Sequence, residues 1–143
     1  RYYLNEDPIL KSVPTYQMAN EEERKYTIKN ITKMVVKRTN ESGGYGMLIG
    51  DNATDEEISD YIHEIRKNPR QFISQPIIKL SSAPCYINGE LQPRRVDLRP
   101  FALYGPDGIE IVPGGLTRVA LKEGSIVVNS SQGGGSKDTW IID

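Results

Sequence analysis

The chain has 143 residues, 37% of them hydrophobic, which suits one domain of ordinary size or two small lobes and excludes a disordered or fibrous chain. Eighteen Lys and Arg against nineteen Asp and Glu give a net charge of -1, so nothing pulls the whole molecule toward nucleic acid or an anionic membrane, and any anion site must be local. A single cysteine, Cys85, excludes an intramolecular disulfide, and a single histidine, His63, leaves zinc dependent on acidic or second-chain ligands.

A reducing cytoplasm is the compartment expected. No apolar run reaches the roughly 20 residues that cross a bilayer, and the start at Arg1 without a signal-like segment is read as a start inside a longer protein. Residues 1–19, with Pro8 and Pro14 and no period, are expected to be an extended leader with few internal contacts, packed on an upstream domain. Asn20 and Glu23 have capping-box spacing and open a charged helix from Glu21 to Asn30. Met34 to Lys37 reads as a strand, Asn40 to Gly46 as a glycine-rich turn, and Met47 to Ile49 as the returning strand of a hairpin.

Thr54 and Glu57 repeat the capping spacing, and Ile58, Tyr61, Ile62 and Ile65 fall at i, i+3, i+4 and i+7, so the spacing predicts an amphipathic helix over Asp55–Lys67. Phe72 to Leu80 is β-rich, and Pro76 within it predicts a bend or an edge. Asn88-Gly89 is a two-residue hairpin signal. Beyond it the chain reads as a meander: Val96 to Tyr104, a turn at Pro106-Asp107-Gly108, Ile109 to Val112, Leu116 to Leu121, a turn at Glu123-Gly124, and Ser125 to Asn129. The fold class is α+β, with a lobe over residues 20–80 and an antiparallel lobe over 81–143.

Several residues could carry chemistry. Lys37 ends a strand just before Ser42, Gly43, Gly44, Tyr45 and Gly46, where glycines free backbone amides to face a phosphate; a solvated lysine beside an ordinary hairpin tip is the commoner meaning. The spacing is not that of a P-loop. Gln75, Pro76 and Ile77 could offer an amide and a carbonyl to an adenine edge, although an ordinary edge strand is the commoner meaning. Asp97 and Arg99 alternate with Val96 and Leu98 and so share a sheet face, while Arg118 and Asn129 lie on or end further strands, a set suited to phosphate or magnesium if the face is not simply wet. Ser130 to Lys137 could wrap an anion through its amides, with Lys137 adding charge, or serve as a linker. His63 reads as a surface or packing residue, and Cys85 lacks the basic neighbours of a nucleophile.

In order, MVVKRTNESGGYGMLIG, FISQPIIKL, VDLRPFALYG, VPGGLTRVAL and VVNSSQGGGSKDTW resemble the circularly permuted ATP-grasp proteins of type 2, a bacterial family related to glutathionylspermidine-synthase-like enzymes; the resemblance runs the length of the chain. It implies an ATP-grasp-like fold, two small lobes with largely antiparallel sheets around a nucleotide cleft. ATP and Mg2+ would be the cofactors, with Lys37 on the α- or β-phosphate, Ser42 to Gly46 as a lid, and Gln75 to Ile77 around adenine. Asp97, Arg99, Arg118 and Asn129 would line the floor at the γ-phosphate, with the main magnesium ligands upstream of this sequence. The implied reaction joins a small-molecule or peptide carboxylate to an amine through an acyl phosphate, in the intact protein and not in this portion alone. A noncatalytic nucleotide- or partner-binding module with the same fold is the alternative. Two positions depart from the pattern of related ligases: Gln132 stands where they have arginine, and Arg38 where they usually have proline. The first leaves phosphate neutralisation to Lys137; the second alters the strand exit.

Overall fold

The helix over Asp55–Lys67 (α2) forms where the apolar spacing and its cap agree. Thr54 Oγ1 accepts from the Glu57 amide at 3.2 Å while Glu57 Oε2 accepts from the Thr54 amide at 2.8 Å, a closed capping box that satisfies two otherwise orphaned donors. The earlier helix, Glu21–Lys29 (α1), is capped differently from the sequence expectation. Asn20 accepts from the Glu22 and Glu23 amides, but the Glu23 carboxylate leaves the N-cap and takes the amide of Gln17 instead.

The computed structural model describes residues 2–41, 45–120, 122–128 and 134–142, which divide into two units, Arg1–Ile77 and Ile78–Asp143. In the first, strands β1 (Tyr16–Gln17), β2 (Met34–Arg38), β3 (Met47–Ile49) and β4 (Phe72–Pro76) form an antiparallel sheet in the order β1-β4-β2-β3. One face carries the core: Met18, Val36, Leu48 and Phe72 pack with Ile31 and with Ile65 of α2, and Ile58, Tyr61 and Ile62 lean on them. Thr27 of α1 and Ser74 of β4, both buried, satisfy each other at 2.6 Å. Gly50 is needed where the chain leaves β3, since a Cβ there would run into the Ile31 carbonyl.

The leader departs from expectation. Residues 2–15 are exposed, but Tyr16 and Gln17 add a strand to β4, and the fully buried Met18 enters the core. Hence β4 is internal, and Pro76 is tolerated for a local reason. Ile77 donates to the Lys33 carbonyl, so in this register the Pro76 nitrogen faces away from β2, toward the β1 side. Continuing the β1–β4 register sets Pro14 against Pro76; neither has an N–H, and the ladder stops. The strand therefore ends at Pro76 instead of reaching Leu80.

In the second unit β5 (Ser82–Ile87), β6 (Glu90–Gly105), β7 (Gly108–Val119) and β8 (Gly135–Trp140) make a sequential antiparallel meander. Asn88 and Gly89 have φ of 52° and 89°, the left-handed pair that a tight turn between right-twisted strands requires. Two expectations change here. Ile109 to Val119 is one strand, because a register shift between Pro100 and Ala102 absorbs the Pro113-Gly114-Gly115 step, and a Cβ at Gly115 would sit 2.9 Å from the Arg99 carbonyl. Residues 125–128 are not a strand; the strand after β7 is instead β8, which includes Lys137 of the segment read as a loop, because ladder bonds to β7 outweigh glycine content. Lys137 Nζ of β8 donates to the Pro84 carbonyl of β5, so the sheet curls enough for this side chain to span from one outer strand to the other.

Among the described residues of this unit buried side chains are few: Cys85, Arg94, Val119, Ala120 and Val128. Arg94 is 7% exposed, donates to Pro93 O at 2.9 Å and Gln92 Oε1 at 2.7 Å, and leaves its Nε without a partner.

Candidate functional site

Alternation along β2 sends Met34, Val36 and Arg38 to the helix side and Val35 and Lys37 to the opposite face. On that opposite face the β2–β4 pairing, Val35 with Gln75 and Lys37 with Ile73, brings Lys37 beside Gln75. The Lys37 ammonium donates to Gln75 Oε1 at 2.7 Å. Pro76 lies on the helix side, and the Ile77 amide is occupied by Lys33 O at 3.0 Å. Tyr45 is exposed, and Gly46 takes a φ of 60° as the chain enters β3. Ser42, Gly43 and Gly44 lie outside the described residues, as do Asn129 and Gln132.

Arg38 anchors the start of the glycine-rich turn. Its guanidinium lies 3.7 Å from Glu41, 3.6 Å from Glu64 of α2 and 4.8 Å from the Phe72 ring centre. Hydropathy alone marks Arg38 as one more polar residue at a strand end, so this role was not legible.

In the second sheet, Asp97 pairs across with Arg118, and Arg99 lies two residues along the same face. Arg118 forks onto Asp97, Nε to Oδ1 at 3.0 Å and a terminal nitrogen to Oδ2 at 2.6 Å; Arg99 reaches Oδ2 at 3.2 Å. The Arg118 guanidinium, more than burial opposes, holds the Asp97 carboxyl below the ordinary carboxylate range, and Asp97 holds Arg118 above its own. One carboxylate between two guanidiniums leaves a net positive charge. With 51% of its side chain exposed against 23% for Arg118, Arg99 is the cation freer to meet a ligand. Lys137 pairs with Thr117, so it lies on the other face of the sheet from Asp97, Arg99 and Arg118.

Both Asp97 oxygens are engaged by arginine, and among the described residues no three His, Cys, Asp or Glu side chains group as metal ligands. The described residues therefore do not fit a magnesium centre by themselves. Among them, no helix is long and apolar enough to cross a membrane.

The family model described as circularly permuted ATP-grasp type 2 matches residues 1–120. An uncharacterised protein of Synechocystis is 52% identical over 99% of this chain, which spans 29% of its length. An uncharacterised protein of Mycobacterium tuberculosis is 49% identical over 99% of the chain, 26% of its own length. A Frankia casuarinae protein provisionally named glutamate–cysteine ligase 2-2 is 44% identical over 98% of the chain, which spans 16% of it. The chain thus spans well under a third of these relatives.

Proposed function

Because the chain belongs to the circularly permuted ATP-grasp, type 2, family, we propose that it is the ATP-binding portion of a carboxylate–amine ligase whose remaining parts hold the substrates. The Asp97 clamp on Arg99 and Arg118 carries the reading. In phosphoryl transfer the charge spreads over the equatorial oxygens, and the protein contributes chiefly position and fixed positive charge. Two guanidiniums held by one carboxylate supply that charge without reorganising at the moment of reaction. Asp97 serves as their anchor.

In this reading Lys37 holds the α- or β-phosphate, residues Ser42 to Gly46 cover the phosphates, and the backbone from Gln75 to Ile77 borders the adenine. For Ile77 to donate to the base, its amide must leave Lys33 O; Lys137, on the other face of the sheet, would have to leave Pro84 O and pass round the edge strand β8 to join the arginines, and Asn129 would line the floor. A substrate carboxylate oxygen attacks the γ-phosphorus, the bond to the β,γ-bridging oxygen breaks, and ADP leaves with that electron pair. The amine then attacks the acyl carbon, inorganic phosphate departs, and the amine proton passes to solvent. The name of the Frankia relative supports amino-acid substrates on both sides. Magnesium, which neutralises phosphate charge when bound, would draw its main ligands from outside the described residues, and no step above depends on it.

Arg99→Ala in the full-length protein tests the reading. ATP-dependent phosphate release should fall about 10²-fold or more, the usual cost of losing one transition-state charge donor. Undiminished release overturns the ligase and favours a noncatalytic nucleotide- or partner-binding module.

A further inference from the structure

Lys37 is part of a relay that begins in the leader. Its ammonium donates to Gln75 Oε1 at 2.7 Å, Gln75 Nε2 donates to Thr15 Oγ1 at 2.9 Å, and the Thr15 hydroxyl donates to Val13 O at 3.1 Å. The chemistry fixes the order of these atoms. An ammonium has only donors, so the amide must turn its oxygen to Lys37, and its nitrogen then requires an acceptor, which Thr15 supplies. Register places the participants: Val35 faces Gln75 and Tyr16 faces Ser74, so Thr15, just ahead of β1, arrives at Gln75. The halt of the β1 ladder before the Pro14 and Pro76 positions leaves Thr15 outside the strand.

We infer that Gln75 and Thr15 are positioning residues for the phosphate-binding lysine, holding its ammonium at one place on the sheet before nucleotide arrives; this rests on the ATP-binding reading above. A lysine side chain has four flexible bonds, and fixing it only on binding would weaken affinity. Gln75 occupies one of the three ammonium protons and, being uncharged, cancels none of the charge a phosphate needs. Glutamate would form an ion pair and compete with the phosphate for the same cation. The leader segment from Val13 to Thr15 is thereby part of the nucleotide site.

The experiment measures two quantities on the full chain: ATP affinity, and the rate at which acetic anhydride acylates Lys37 without nucleotide, read by peptide mass spectrometry. Gln75→Leu should weaken ATP binding about three- to tenfold, the cost of ordering one long side chain on binding, and speed Lys37 acylation by a similar factor. Thr15→Val should move both in the same direction by less, Thr15→Ser should restore both, and Gln75→Glu should weaken ATP binding further. Unchanged affinity and unchanged acylation in Gln75→Leu and Thr15→Val, with wild type binding ATP, overturn the relay and leave the ATP-binding reading intact. If ATP neither binds wild type nor protects Lys37, the ATP-binding reading fails and the role assigned to the relay falls with it.

Discussion

The two sheets have the same number of strands and the same antiparallel pairing, yet they differ in what lies behind them. The first has strands of two to five residues, but α2 and a buried set running from Met18 to Phe72 close its inner face. The second has strands of 16 and 12 residues with few buried side chains, while Leu98, Leu103, Tyr104, Ile109, Ile111 and Trp140 are each more than half exposed. Hydrogen bonds fix register in both, but their net contribution is small, and apolar burial supplies most of the stability. Strand length is thus a poor guide to which unit stands more firmly alone.

Phe72→Ala should break this contrast most strongly. Phe72 is 1% exposed and contacts Tyr61 edge-on, so its loss should cost about 3–5 kcal/mol. Hydrogen exchange read amide by amide should show the loss in β2 and β4 and leave β6 and β7 unchanged. Equal loss in both sheets would show that their stabilities are not separate. Arg94→Met should act in the opposite direction, raising stability by about 1–2 kcal/mol, since a buried guanidinium with only neutral acceptors is exchanged for a shorter, uncharged and flexible thioether. Urea denaturation followed in the second unit measures it, and a decrease would show that Arg94 has a stabilising anionic neighbour.

The smallest effect sharpens the comparison through acid. Asp97 is held below its ordinary value, so its contribution is complete above that value, near pH 4, and is lost as pH falls through the lower folded value. Asp97→Asn should be less stable than wild type at neutral pH, with the gap closing in acid. A gap constant with pH would sink the assignment of the Arg118 fork.

Local signals explain what could be read from the sequence. The α2 boundaries follow from Thr54, Glu57 and four isoleucine and tyrosine positions on one face. The Asn88-Gly89 turn needs only two residues, and the shared face of Asp97 and Arg99 needs only period two. Where tertiary pairing decides, the sequence was silent. Nothing near Tyr16 announces Ser74, and the glycines before Lys137 point to a loop although β7 draws it into a strand. The contact of Lys37 with Gln75 depends on the offset between two distant strands, so each residue could be suspected singly while their hydrogen bond could not.

Pro84 faces Pro93 across β5 and β6, and its carbonyl is taken by Lys137. The middle of that outer strand therefore offers an incoming chain neither a hydrogen to accept nor an oxygen to claim. Sticky though its side chains are, the second unit has a backbone border that resists the stacking by which bare sheets grow into fibrils.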